Sequence, residues 1–109
     1  MFLAMNRFKV KRGSETEFER VWRERDTYLA TLPGFVSFAL LRGRDHEEYT
    51  LYSSHTIWEN RAHFEEWTRS DAFRVAHRNA GGNKVLYVGH PELELFESVI
   101  ELHATDAAA

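Results

Sequence analysis

The stretch HTIWENRAHFEEWTRSDAFRVAHR, residues 55–78, decides how this chain is read. Phe73, Ala76, His77 and Ala80 recur at helical spacing, so the imidazole of His77 shares a stripe with apolar groups. A histidine placed there needs a partner: a buried carbonyl, a carboxylate, a metal ion, or the iron of a cofactor too large for one helix to enclose. Trp67 precedes it on a separate helical segment, because Ser70 and Asp71 offer a fresh N-cap after Thr68 and Arg69. In one straight helix, ten residues at about 100° each would leave Trp67 and His77 roughly 80° apart. A bend between them lets both face one cavity. The pair Gly81-Gly82 then releases the chain into a loop.

Working outward, a chain of 109 residues with 43% hydrophobic content is long enough for one core and one domain, expected over residues 1–103, with residues 104–109 as a frayed tail. Eight Phe, three Trp and four Tyr are many for that length and suit a thick core, an oligomer interface, or the walls of a pocket for a flat apolar ligand. A net charge of -3 with both signs interspersed argues against nucleic acid as a partner. The lack of cysteine excludes disulfides, thiolate metal sites and thiol catalysis, and fits a cytoplasmic setting. Nothing approaches the ~18 uninterrupted apolar residues of a membrane span. Met1 to Met5 is broken at once by Asn6 and Arg7 and does not read as a secretory segment.

Toward the N-terminus, Phe2, Ala4, Asn6, Phe8 and Val10 alternate with Leu3, Met5, Arg7 and Lys9, the pattern of a strand. Its phase sets Asn6 among core-facing residues, where an unpaired amide costs on the order of 1–3 kcal/mol. The amide therefore meets either a neighbouring strand or helix terminus, or a ligand in a pocket. Ser14-Glu15-Thr16-Glu17 reads as a capping box opening a helix whose apolar face runs through Phe18, Val21, Trp22, Tyr28, Leu29 and Leu32 to a stop at Pro33-Gly34. Its charged side reads as a solvated face.

Phe35 to Arg42 and Tyr49 to His55 read as a hairpin around a polar turn. Thr56-Ile57-Trp58-Glu59 reads as a second capping box, opening the helix with Ile57, Phe64 and Trp67. After the glycine loop, Leu86 to Val88 and a last strand from about Leu93 to Leu102 close the chain. A bulge near Leu95-Phe96 is expected to turn Leu93, Leu95, Phe96, Ile100 and Leu102 inward. The order is β-α-β-β-α-β, an α+β ferredoxin-like arrangement: a four-stranded antiparallel sheet with helices on one face. The other face, with Met5, Tyr52 and strand leucines, then needs cover from a second copy, giving a homodimeric α/β barrel.

With these residues in place, the chain from Phe2 to about Leu102 resembles the IsdG-type heme-degrading monooxygenases of the antibiotic biosynthesis monooxygenase superfamily. The likeness rests on Asn6 in the first strand, Trp67 on the penultimate helical segment, and His77 before a glycine loop. It implies heme b as both substrate and cofactor, with molecular oxygen and an external electron donor such as a reductase. His77 would be the iron ligand, Asn6 the distal amide that hydrogen-bonds oxygen at the iron, and Trp67 the ring that pushes the porphyrin out of planarity. The product would be a bilin, with iron released. Arg23, Arg78, Lys84 and loop amides from Asn79 to Asn83 are candidates for the propionates.

Alternatives from other classes are a heme carrier that never turns over, and a cofactor-independent oxygenase of an aromatic or quinol substrate. His46, His55, His63, His90 and His103 lack metal-ligand spacing and read as surface or structural. The chain has no G-x-G-x-x-G, Walker loop, H-E-x-x-H or G-x-S-x-G, so nucleotide, zinc-protease and serine acyl-transfer chemistry have no motif here.

Overall fold

The computed structural model describes residues 1–25, 28–77 and 85–104, with the backbone alone for residues 75–77. In chain order these are β1 (Phe2–Lys11), α1 (Glu15–Glu24), a 3-10 turn (Leu29–Thr31), β2 (Phe35–Asp45), β3 (Tyr49–Trp58), α2 (Arg61–Thr68), α3 (Asp71–His77) and β4 (Tyr87–Glu97). The sheet order is β2-β3-β1-β4 with every pairing antiparallel, the ferredoxin-like topology with its helices on one face. Among the described residues, no helix is long and apolar enough to cross a membrane.

The alternation along β1 and β3 builds the core. Phe2, Ala4, Phe8 and Val10 point to the helices from β1, and Thr50, Tyr52, Ser54, Thr56 and Trp58 do so from β3. The large side chains gather at the two ends of these strands. At one end Phe2, Leu29, Trp58 and Phe64 pack together; at the other, Phe8, Val10, Phe18 and Tyr52. Each end is an aromatic cluster: the rings of Phe2 and Phe64 lie 5.2 Å apart, and those of Phe18 and Tyr52 5.0 Å apart.

Several local expectations give way to this arrangement. The first helix ends at Glu24 instead of running to Pro33, because Arg25 turns extended (φ -69, ψ 127) and Tyr28 is left-handed (φ 56). The break has a packing cause. Phe18 and Trp22 serve one cluster while Leu29 serves the other, and a continuous helix would hold all three on one stripe. The capping box at Ser14 is not formed either. Glu17 pairs with Arg20, and Glu15 instead accepts from the N–H of Gly13 at 2.7 Å.

Thr56, Ile57 and Trp58 belong to β3 and not to the following helix, since Thr56 pairs with both Ala4 and Phe38 in the sheet. The N-cap of α2 is Asn60, whose Oδ1 accepts from His63 N–H at 3.0 Å. The bulge in the last strand also sits elsewhere. Pairing is regular at Leu95 and Phe96, and the irregularity falls opposite β1 between Arg7 and Lys9, where β4 carries Gly89 (φ 70) and Pro91. Glycine supplies the positive φ, and proline fits an edge strand that lacks a partner on one side. Ile100 and Leu102 lie beyond β4 and are exposed, not inward.

Tyr52 faces the helices, 1% exposed, and not the open side of the sheet. Its hydroxyl donates to Glu19 Oε2 at 2.5 Å. Burial first, and then the Glu19 carboxylate, push its pKa up from 10.0 to about 12. The open side carries Leu3, Met5, Leu41, Leu51, Ile57 and Phe96.

Two outcomes are expected. Asn60→Ala should cost about 1 kcal/mol in urea unfolding, the usual loss when a side-chain cap is removed. Because the folded state holds the Tyr52 proton more tightly than the unfolded chain, that contribution is complete below about pH 10 and fades as pH rises through about 12. A tyrosinate absorbance titration should show one late step, absent in Tyr52→Phe.

Candidate functional site

Between the two aromatic clusters the strands carry small or polar side chains, and a cavity of about 290 Å³ opens there. Its floor is one patch of the sheet. Ala4 pairs with Thr56 and Asn6 with Ser54 across β1 and β3, with Leu93 beside Asn6 on β4 and Phe38 beside Thr56 on β2. Larger residues at these four central positions would have merged the clusters and closed the space.

The roof comes from the breaks between helices. Trp22 and Arg25 overhang from the end of α1, and Phe64, Trp67 and Thr68 from α2. Phe73 reaches in from α3 and meets the Trp67 ring edge-on at 4.9 Å. The bend between α2 and α3 forms as the Ser70 signal implies. Ser70 Oγ accepts from Phe73 N–H at 3.1 Å and donates to the Trp67 carbonyl at 2.6 Å, so one side chain ends one helix and starts the next.

Polar groups in this cavity are few. Asn6 Oδ1 is buried and accepts no hydrogen bond among the described residues. An amide so held leaves an acceptor for a ligand donor or, turned over, a donor for a ligand oxygen. Arg25 is half-buried with its guanidinium 4.2 Å from the Trp22 ring centroid, and among the described residues no carboxylate pairs with it. Burial pushes its pKa below the ordinary arginine value, with Tyr87 opposing. A cation that has lost water without gaining a carboxylate is a ready partner for an anionic group.

Of the residues singled out in the sequence, Asn6 and Trp67 meet at this cavity. His77 is the last residue of α3, four positions after Phe73, and its side chain lies outside the described residues. The same holds for Arg78, the Asn79 to Asn83 loop with Gly81-Gly82, and Lys84. Arg23 is exposed and ion-paired with Glu19. Arg25, Ser54, Thr56 and Phe38 were missed. Arg25 reads as part of a solvated helix until the helix is seen to end one residue before it, and Thr56 reads as a cap until it is seen in the sheet. No group of three or more His, Cys, Asp or Glu is arranged to hold a metal ion among the described residues.

Residues 1–79 match the profile of the family described as antibiotic biosynthesis monooxygenase. The chain belongs to that family. A heme oxygenase (staphylobilin-producing) of Staphylococcus haemolyticus is 36% identical over 80 residues, 72% of this chain and 75% of that one. Among solved structures, the heme-degrader MhuD of Mycobacterium tuberculosis, with two hemes in its active site, is 26% identical with a TM-score of 0.70, covering 94% of this chain and 100% of that one. SnoaB from Streptomyces nogalater, a cofactor-independent oxygenase, is 27% identical with a TM-score of 0.66, covering 93% of this chain and 95% of that one. The monooxygenase fold is thus shared by relatives that act on heme and by one that works without a cofactor.

If Asn6 is kept for a ligand at the expense of folding, Asn6→Leu should leave the ligand-free protein as stable as before or more stable by up to about 1 kcal/mol. Urea denaturation of both proteins decides it, and a loss of more than that would mark the amide as structural.

Proposed function

We propose that this monooxygenase-family protein degrades heme, taking it as substrate and cofactor and opening the porphyrin to a bilin with release of iron. One observation carries the reading: the buried Oδ1 of Asn6, without a hydrogen-bond partner among the described residues, set in an aromatic-walled cavity whose one cation is Arg25 among those residues. The 36% identity to a heme oxygenase gives the flat ligand its chemistry.

The residues divide the work. Phe64, Trp67, Phe73 and Leu93 exclude water from the apolar body of the macrocycle. The cavity, about 290 Å³, falls just below the roughly 300–1,000 Å³ usual for ligand sites, so the charged rim of a porphyrin would stay at the mouth, where Arg25 would meet a propionate. His77, one helical turn past Phe73, would hold the iron through a neutral imidazole. Asn6 would supply a single hydrogen-bond donor, fixed by the sheet, toward oxygen bound in the cavity. The Trp67 ring, held between Trp58 at 5.4 Å and Phe73, would be the bulky group set against the porphyrin. Bound heme supplies the redox iron and the carbon that is oxygenated, drawing on dioxygen and an external electron donor, for which a cytoplasmic reductase is the natural source. A second copy covers the apolar open side of the sheet, making a homodimer.

Heme titration followed by ascorbate in air tests this. Saturable binding with a shifted Soret band, then loss of the band and appearance of a linear tetrapyrrole, is expected. His77→Ala should abolish tight ligation, Arg25→Ala should weaken binding, and Asn6→Ala should bind heme yet slow turnover by about 10²- to 10³-fold, as loss of a placed donor does elsewhere. A band that forms and persists would make the protein a carrier. The likeness to SnoaB supports one second reading, a cofactor-independent oxygenase of a smaller aromatic ring, for which no saturable heme site would appear.

A further inference from the structure

The inward face of β3 carries hydroxyl groups of two kinds. Thr50, Tyr52, Ser54 and Thr56 all point to the helices and are at most 7% exposed. At the first two, glutamates of α1 meet the hydroxyl: Thr50 Oγ1 donates to Glu15 Oε2 at 2.9 Å, and Tyr52 to Glu19 Oε2 at 2.5 Å. At Ser54 and Thr56 no described residue does so. The one side-chain bond at Ser54 reaches its carbonyl, from Ser53 Oγ at 3.4 Å.

Both unpaired hydroxyls belong to the floor of the main cavity. Unlike the Oδ1 of Asn6, their oxygens are not shut away, so a ligand can reach them. A buried hydroxyl that has given up water without gaining a protein partner weighs against folding, and alanine or valine would avoid that cost. Where such a group opens into a ligand cavity, the missing partner arrives with the ligand.

These polar groups are lopsided about Asn6. Ser54 is its partner in register across β1 and β3, which sets their Cβ atoms roughly 4.5–5.5 Å apart on one face. Thr56, two residues along β3, continues the polar line. On the other side Asn6 pairs with Leu93 of β4, which offers only hydrocarbon to the cavity. An oxygen atom held by the Asn6 amide therefore has a hydroxyl beside it toward β3 and none toward β4.

We propose that Ser54 is a specificity-determining residue, its hydroxyl a second hydrogen-bond donor next to Asn6 that draws oxygen bound in the cavity toward β3. The inference rests on the heme reading and adds to it a choice of position: the ring carbon on the β3 side is the one oxygenated.

Cyanide titration of the ferric heme-loaded protein tests the donor, since this small anion takes the place of oxygen. Ser54→Ala should bind cyanide about tenfold more weakly, as loss of a hydrogen bond to a charged group implies. Ser54→Thr keeps the hydroxyl, and the cavity has room for its methyl group, so it should bind cyanide as the unaltered protein does. Ligand-free Ser54→Ala should unfold at no lower urea concentration, because no protein hydrogen bond is lost. After turnover with ascorbate in air, chromatography of the ring-opened isomers should show their ratio moved toward parity in Ser54→Ala and unchanged in Ser54→Thr. If the unaltered protein binds no heme, or binds it without opening the ring, the heme reading fails and takes this inference with it. If it does both, and Ser54→Ala leaves the cyanide affinity or the isomer ratio as it was, this inference fails alone. A clear loss of stability in ligand-free Ser54→Ala also overturns it, marking the hydroxyl as structural.

Discussion

The structure depends on four modest side chains at the centre of the sheet. Ala4 and Asn6 on β1 face Thr56 and Ser54 on β3, in register and on the helix side. A sheet of this size ordinarily buries a continuous apolar layer under its helices. Here that layer is interrupted, with an aromatic cluster at each end and a cavity between. Large rings at the ends make up for what the middle does not bury. The helices follow the same division: α1 sits over one cluster and α2 over the other, and each ends where the cavity begins.

Much of this was legible in the sequence, and the rest was not, for definite reasons. Period-two alternation identified β1 and its phase, including the inward amide of Asn6, because a strand buried on one face leaves a clean signal. The bend at Ser70 was legible because an N-cap is a local interaction between a hydroxyl and an amide three residues on. Thr56 and Glu59 fit the same kind of pattern and misled, since the backbone of Thr56 was already bonded on both sides in the sheet, which no local motif reports. The early end of α1 was hidden for a similar reason: the two halves of its apolar stripe belong to clusters that exist only once the chain is folded. Arg25 became visible as a site residue only with that ending.

The site shows how a protein holds function against stability. Asn6 is half-buried with its Oδ1 shut away unpaired where an apolar residue would pack better, and Arg25 is drawn out of water without a carboxylate among the described residues. Both are held by elements that are otherwise well satisfied, one by a central strand and the other by stacking on Trp22. Membership of the antibiotic biosynthesis monooxygenase family gives the frame in which such a site is expected, and the relatives differ in what they place inside it.

The irregularity in β4 has a consequence for solubility. A sheet edge offers unpaired amides and carbonyls on which another chain can grow, and an uninterrupted edge invites unlimited stacking. Gly89 and Pro91 interrupt the early part of this edge, one by a backbone turn and the other by removing a donor. The longest regular run left is Glu92 to Glu97, where three of the six residues are glutamates. An invading strand would find a short landing with negative charge along it, so the rim discourages fibre growth while the rest of the sheet stays free for its own work.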